Sequence, residues 1–224
     1  MSEQETKELP LWVEDRDKVI ANSGTDVEWR EQNPPDYTMQ KESFARGRKY
    51  NHPEGSIEAL VQNLVRTFEM EVSHKTNPQQ WLSVVADKFR ITTNGKQTYN
   101  AEDVAREGSY NLFIEATEHY NPKEETFESS AELFHKAFPE GFLWEVSEVI
   151  SGPPKVVFKW RHWGNFTGPY RDFQPTGKTI EIFGISVANV TEDLKVTTME
   201  HYFDNSAFLN DLTAGCPMHK NSNS

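Results

Sequence analysis

Phe142-Leu-Trp-Glu-Val-Ser-Glu-Val-Ile150, Ser151-Gly-Pro-Pro154 and Val156-Val-Phe-Lys-Trp-Arg-His-Trp-Gly-Asn-Phe166 decide the fold. Two long runs rich in aromatic and β-branched residues flank a Gly-Pro-Pro turn, which predicts an antiparallel strand pair. Lys178–Val190, the turn Glu192-Asp193 and Lys195–Asp204 continue the pattern as a third and fourth strand. Asn205–Leu212 reads as a short closing helix.

Upstream, the period changes from two to that of a helix. Ser56 is an N-cap with Glu58 in the first turn. From there Ile57, Leu60, Val61, Leu64, Val65, Phe68 and Val72 form an apolar stripe that runs to about His74, before Asn77-Pro78. Val84–Thr93 reads as a short strand ahead of the turn dipeptide Asn94-Gly95. Glu102–Thr117 and Ser129–Phe138 read as second and third helices, the latter stopped by Pro139-Glu-Gly141. Three helices followed by a meander of long strands predict an α+β domain over residues 56–212, helices packed on a mainly antiparallel sheet. Residues 1–55 are poor in aliphatics and broken by Pro34-Pro35, with at most a short helix in Tyr37–Lys49. They read as an extension pinned to the domain by Trp12, Trp29 and Tyr37. Residues 213–224 read as a disordered polar tail.

Composition narrows the function. The chain has 224 residues, 36% of them hydrophobic, and a net charge of −12. Phosphate backbones and anionic lipids need clustered Lys and Arg, so neither nucleic acid nor a membrane is an expected partner. The single cysteine, Cys216, excludes an internal disulfide and fits a reducing compartment. Met1–Leu9 is too polar for a signal peptide and no apolar run is long enough to span a bilayer, so a cytoplasmic location is expected. No phosphate loop or dinucleotide fingerprint is present, and two histidines without a placed third ligand are a weak metal signal. Neither cofactor nor metal is expected.

Several short motifs carry a resemblance. Phe134-His-Lys-Ala-Phe-Pro139 precedes the strands; Pro175-Thr-Gly-Lys178, Phe183-Gly-Ile-Ser186 and Tyr202-Phe-Asp204 follow in order. The chain resembles the SnoaL-like, polyketide-cyclase-like branch of the nuclear-transport-factor-2-like (NTF2-like) superfamily, which includes ketosteroid isomerase and scytalone dehydratase. It is more similar still to the pathogen-related protein group of plants and fungi. That likeness runs colinearly over about residues 28–212, through Pro53-Glu-Gly-Ser56, Glu69-Met-Glu71, His74-Lys75, Thr93-Asn-Gly95, Tyr110-Asn111, Gly152-Pro-Pro154, Phe158-Lys-Trp-Arg-His-Trp-Gly164 and Phe183-Gly184. The resemblance implies a cone whose strongly curved sheet and helices enclose an apolar cavity, and a homodimer formed through the outer sheet face. It does not fix a reaction, because one fold hosts many.

The resemblance also implies where acid–base groups would stand, and they are absent. Ser186, Phe68 and Thr92 occupy the positions of the usual acid, tyrosine and carboxylate. Strand parity, by analogy, turns Phe158, Trp160 and His162 inward on the second strand and Met199, His201 and Phe203 inward on the fourth. His162 and His201 are therefore candidate acid–base groups, since imidazole titrates near neutrality. The alternative for each is a histidine that hydrogen-bonds a neighbour. Ser186 either hydrogen-bonds a ligand or makes space. Phe68, Phe158, Trp160, Met199 and Phe203 are candidate substrate walls or plain core. Glu71, at the edge of the helical stripe, is a candidate pocket carboxyl with a raised pKa, or else a solvated or arginine-paired one. Tyr170, in the long segment Gly164–Gly177, belongs to a lid or to a surface excursion.

Two functions follow. One is a cofactor-independent tailoring enzyme of secondary metabolism that promotes cyclisation (pericyclic included), isomerisation or dehydration of a polyketide or terpenoid. The other is a non-catalytic binder of an apolar metabolite in stress or pathogen response.

Overall fold

The computed structural model describes residues 9–215; the expectations for residues 1–8 and for the tail from Cys216 onward lie outside them. In chain order the elements are α1 (Arg16–Ala21), α2 (Thr38–Gly47), α3 (Ile57–His74), β1 (Arg90–Thr93), β2 (Thr98–Tyr99), α4 (Ala101–Glu107), α5 (Ser109–Phe113), α6 (Phe127–Ala137), β3 (Leu143–Ser151), β4 (Lys155–Asn165), β5 (Thr179–Val190), β6 (Val196–Phe203) and α7 (Asn205–Thr213). The strands form one six-stranded sheet in the order β2-β1-β6-β5-β4-β3, antiparallel except where β1 runs parallel to β6. This is the curved, mainly antiparallel α+β arrangement that the resemblance implies, and the four long strands fall where the period-two runs place them.

Local chemistry explains the boundaries. Ser56 Oγ accepts from the Ala59 N–H and starts α3. The expected helix over Glu102–Thr117 is instead two short ones, because Gly108 sits at φ +81° and a Cβ there would lie 2.8 Å from the Phe127 ring. The third helix begins earlier than expected. Thr126 is its cap, and Ser129 closes a reciprocal capping box with it. The strand expected from Val84 is shorter too. Val84 bridges Val196, a 3-10 turn intervenes at Ala86–Lys88, and regular pairing begins only at Arg90.

The register settles which face is which. Phe158, Trp160 and His162 pair with Ser186, Gly184 and Ile182, and all six share the inner, concave face. Ser186 and Gly184 in turn pair with His201 and Phe203. Gly184 is there for space: a Cβ would sit 2.2 Å from the Trp160 indole. Helix α3 covers this face and ties to it where the Val146 N–H donates to Gln62 Oε1 (3.1 Å).

The outer face holds a charged cluster at the β3–β4 edge. Arg161 reaches Glu145 (2.7 Å) and Glu181 (2.6 Å) and donates to the Gly47 carbonyl (3.0 Å). The Glu145 carboxylate also accepts from the Lys49 and Tyr50 N–H groups at 3.1 and 3.2 Å. Glu145 and Arg161 are buried although they face outward, because the chain from Phe44 to Tyr50 wraps over them and Phe44 meets Trp163. The rest of this face is open, with Phe183 and Tyr202 55% and 41% exposed.

The arm's aromatics have defined partners. Trp12 donates to the Asp193 carbonyl (3.0 Å) beneath the Lys195 ammonium. Trp29 bridges Lys75 at the end of α3, and Tyr37 stacks under Arg16. The segment between β4 and β5 is no cavity lid. Phe166 and Tyr170 are fully buried, Tyr170 packs on Phe134, and its hydroxyl donates to the His119 carbonyl.

Arg161→Leu strands the Glu145 carboxylate in a buried site and is expected to lower the unfolding free energy by about 3–5 kcal/mol. Urea unfolding of the full chain checks this; a loss within error of zero would mean that the pair holds nothing together.

Candidate functional site

Between α3, the arm, α5–α6 and the inner sheet face lies a cavity of about 1260 Å³. Its sheet side is apolar, with Phe68, Trp144, Trp160, Ile182 and Phe203 in the wall. Its arm side is polar, with Arg16, Tyr37, Arg66 and Glu69. Concave apolar spaces with a few converging polar groups are the usual form of small-molecule sites.

Glu69 lies one helical turn after Val65 on the α3 face that lines the cavity. Its side chain is 36% accessible, which fits a wall position. Loss of solvation pushes its carboxyl up to about 7, against the opposing pull of the Arg16 and Arg66 charges. His162, on β4, stacks on Phe142 at 4.1 Å. Burial pushes its imidazole down to about 3. The Leu143 backbone pulls the other way, yet Nδ1 completes no hydrogen bond of good geometry. Nε2 lies 3.9 Å from Glu69 Oε1, within ion-pair distance. The two shifts argue against an ion pair, because between about 3 and about 7 both groups are neutral. The pair is better described as a protonated carboxyl facing a neutral imidazole.

His201, on β6, is held differently. The Trp160 indole N–H donates to Ser186 Oγ (2.8 Å), and Ser186 Oγ meets His201 Nδ1 at 2.6 Å. With the serine oxygen accepting from the indole, its buried hydroxyl hydrogen needs an acceptor, and His201 Nδ1 is the one in reach. Nδ1 then accepts and Nε2 carries the ring hydrogen. Burial lowers this histidine to about 4, so it stays neutral. Tyr110, stacked on Phe134 at 4.2 Å, lines the same cavity, and its hydroxyl is pushed well above its ordinary value by burial. His201 and Tyr110 are thus neutral hydrogen-bond donors in an apolar space. Among the described residues no three His, Cys, Asp or Glu side chains converge as metal ligands.

Known proteins bear on this arrangement. Residues 113–212 match the family model of the SnoaL-like polyketide cyclases. A pathogen-related protein of barley, Hordeum vulgare, is 39% identical, and the alignment covers 85% of this chain and 88% of that protein. The chain belongs to the pathogen-related protein family. Among solved structures, a protein described as a SnoaL-like polyketide cyclase, from Jannaschia sp. CCS1, is 14% identical over 74% of this chain and 100% of its own, with a TM-score of 0.39. IdmH of Streptomyces antibioticus is 11% identical over 67% and 96%, with a TM-score of 0.42. Scores this low say nothing about activity.

In this pathogen-related family member the SnoaL-like part carries His162, Ser186 and His201, whereas Arg16, Arg66 and Glu69 precede it. The cavity brings together Phe68, Trp160, His162, His201 and Phe203. It does not include Phe158 or Met199, which are buried core behind the wall. Tyr170 is core of the β4–β5 segment. Ser186 is fully buried and reaches a ligand only through His201, so it is a positioning residue. Glu71 faces away from the cavity: Lys75 (2.8 Å), Ser83 Oγ (2.6 Å) and the Leu82 and Ser83 N–H groups saturate it. Its partner is Lys75 rather than an arginine, and the i,i+4 spacing of the two is the signal that identifies it. Glu69, Tyr110, Arg16 and Arg66 are the site residues that sequence reasoning missed. The signal for Glu69 is the row Val61, Val65, Glu69.

The two carboxylates should separate cleanly by mutation. Glu71→Ala strands buried Lys75 and is expected to cost about 3–5 kcal/mol of stability. Glu69 has a folded-state pKa of about 7, above its ordinary 4.5. Folding therefore favours its protonated form, a contribution fully present below the unfolded value and lost as pH rises through about 7. Glu69→Gln should raise the melting temperature relative to wild type more above neutrality than near pH 4.5. Equal offsets at both pH values would contradict the raised carboxyl.

Proposed function

We propose that this protein is a cofactor-independent enzyme that moves a proton on a polyketide- or terpenoid-like molecule, driving its cyclisation, isomerisation or dehydration. The observation that carries the reading is a carboxyl in the cavity wall, Glu69, whose Oε1 lies 3.9 Å from His162 Nε2; the enclosure pushes that carboxyl up to about 7 and the imidazole down to about 3. The SnoaL-like match over residues 113–212 supports a cyclase-type role. As carboxylate, Glu69 takes a proton from a C–H next to a carbonyl. The electron pair moves onto the carbonyl oxygen, where His201 Nε2–H and the Tyr110 hydroxyl stabilise the developing charge. Protonated Glu69 then returns the proton to another carbon, or to a leaving hydroxyl that departs as water. The aromatic wall holds the substrate in a reactive shape.

Product analysis on a panel of hydroxylated polyketides and terpenoids tests this. Glu69→Gln is expected to lower kcat by about 10²–10⁴-fold, the range for losing a positioned acid–base group. Wild-type activity should change with a group titrating near 7. Unchanged turnover in Glu69→Gln, His162→Ala and His201→Ala would remove these residues from the chemistry.

A second reading, a binder of an apolar metabolite in pathogen response, is favoured by the name of the barley relative. Saturable binding of panel members without conversion would decide for it. A reducing, cytoplasmic compartment is the setting we propose on the strength of the single cysteine, and no helix among the described residues is long and apolar enough to cross a membrane.

We also propose a homodimer through the open outer sheet face, where exposed Phe183 and Tyr202 flank half-buried Ile185. Phe183→Asp with Tyr202→Asp should convert a dimer to monomer in sedimentation velocity; a wild-type monomer at all concentrations would exclude it.

A further inference from the structure

Besides the exposed Arg48, two half-buried arginines line the cavity with no carboxylate of the described residues within ion-pair distance. Arg16 opens α1 on the arm, and Arg66 lies on α3, three residues before Glu69. The Arg16 guanidinium stacks 3.3 Å from the Tyr37 ring centroid, and that of Arg66 lies 3.9 Å from the Phe44 ring. Stacking holds the guanidinium planes and leaves their N–H edges free to donate. Among the described residues neither arginine has a carboxylate within ion-pair distance, and Arg16 Nε is buried without any hydrogen-bond partner. Arg161 and Arg30 show the contrast. Arg161 is saturated by Glu145 and Glu181, and Arg30 reaches the Ala105 carbonyl and Glu128.

The nearby acids do not fill the gap below neutrality: Glu69, which feels both arginine charges, is within ion-pair distance of neither and stays protonated up to about 7. Asp15 caps α1 and lies 3.8 Å from Lys41, and Asp36 accepts from Thr38. Burial, with the Arg16 charge adding to it, pushes Arg66 down to about 10. A guanidinium lowered by a like charge in a partly desolvated wall is relieved by an anion bound beside it. The protein's net charge of −12 supplies no general attraction for anions, so their recognition has to be local.

We infer that the cavity takes an amphipathic carboxylic acid, its carboxylate held by Arg16 and Arg66 and its apolar body lying against Phe68, Trp160 and Phe203. This rests on the small-molecule reading above and adds the head group of the ligand. Planar guanidinium edges suit a carboxylate, and an apolar wall across the same cavity suits the remainder.

Glu69 adds a pH signature. The groups facing it are Arg16 from α1, Tyr37 from the arm, Arg66 from its own helix, Tyr110 from α5 and His162 from β4. His162 changes charge near 3, Arg66 near 10 and Tyr37 near 12, and Tyr110 is pushed up, so Glu69 is the group that titrates around neutrality. Once ionised it competes with the ligand for both arginines.

The test compares 2-naphthoate with methyl 2-naphthoate on the full chain by calorimetry. Below neutrality the acid is expected to bind about tenfold tighter than the ester or better, the effect of a charged hydrogen bond. In Arg16→Gln/Arg66→Gln that advantage should vanish while the ester's affinity stays. The acid should weaken as pH rises through about 7, and Glu69→Gln should flatten that dependence. Equal affinity for acid and ester in the wild type overturns the head-group inference and leaves the cavity reading standing. Binding of neither overturns both. If the double variant does not fold, Arg16→Gln and Arg66→Gln are read singly, and an acid advantage untouched in both overturns the inference.

Discussion

The buried Glu145–Arg161 pair ties the N-terminal arm to the back of the sheet, and the polar side of the cavity depends on that tie. Two charges out of water are tolerated only when nearly every lone pair and N–H is matched. Here the matching groups include the Gly47 carbonyl and the Lys49 and Tyr50 N–H groups, which come from the arm itself. Their desolvation cost thus enforces one path for the chain just after α2. His52 continues that path with a 2.7 Å contact to the Val146 carbonyl before α3 begins. Helix α2 is held where Phe44 meets both Trp163 and Arg66. A contact on the outer face of the sheet in this way arranges residues on the inner side.

One physical effect then sets the chemistry inside. Burial penalises every charge, so it raises the Glu69 carboxyl and lowers His162, His201 and His74. The histidines become neutral donors or acceptors, and the carboxyl is left poised near neutrality. The arginines resist the same pressure because a guanidinium loses its proton only far above neutral pH. A mostly uncharged aromatic space with a cationic corner is the outcome, and it differs from a uniformly greasy pocket in what it can orient.

Much of the fold was legible because it rests on local periodicity. The runs from Phe142 to Asp204 alternate at period two, and Ile57–Val72 repeats at helical spacing, so four strands and one long helix stand within a residue or two of expectation. Where the pattern misled, a contact distant in sequence had intervened. Gly108 breaks a helix whose apolar spacing continues through it, because Phe127 packs onto its α-carbon. Helix α1 has six residues and little periodicity of its own; Asp15 capping and burial of Val19 hold it.

For the site, the sequence by itself determined the aromatic character of the sheet and that His162 shares a face with Phe158 and Trp160, and His201 with Met199 and Phe203, since alternation along a strand is a property of the strand alone; that this face is the inner one was implied by the family resemblance and decided by the register. Which edge of the α3 stripe faces the cavity was decided only in three dimensions. Glu69 and Glu71 flank one apolar stripe, and helical spacing treats the edges alike. Docking of α3 on β3 turned Glu71 toward Lys75 and Ser83 and left Glu69 in the wall beside His162. The arginines came from farther still. Arg16 joins Arg66 across fifty residues of chain because the arm folds back over the cavity, a closure that no local pattern encodes.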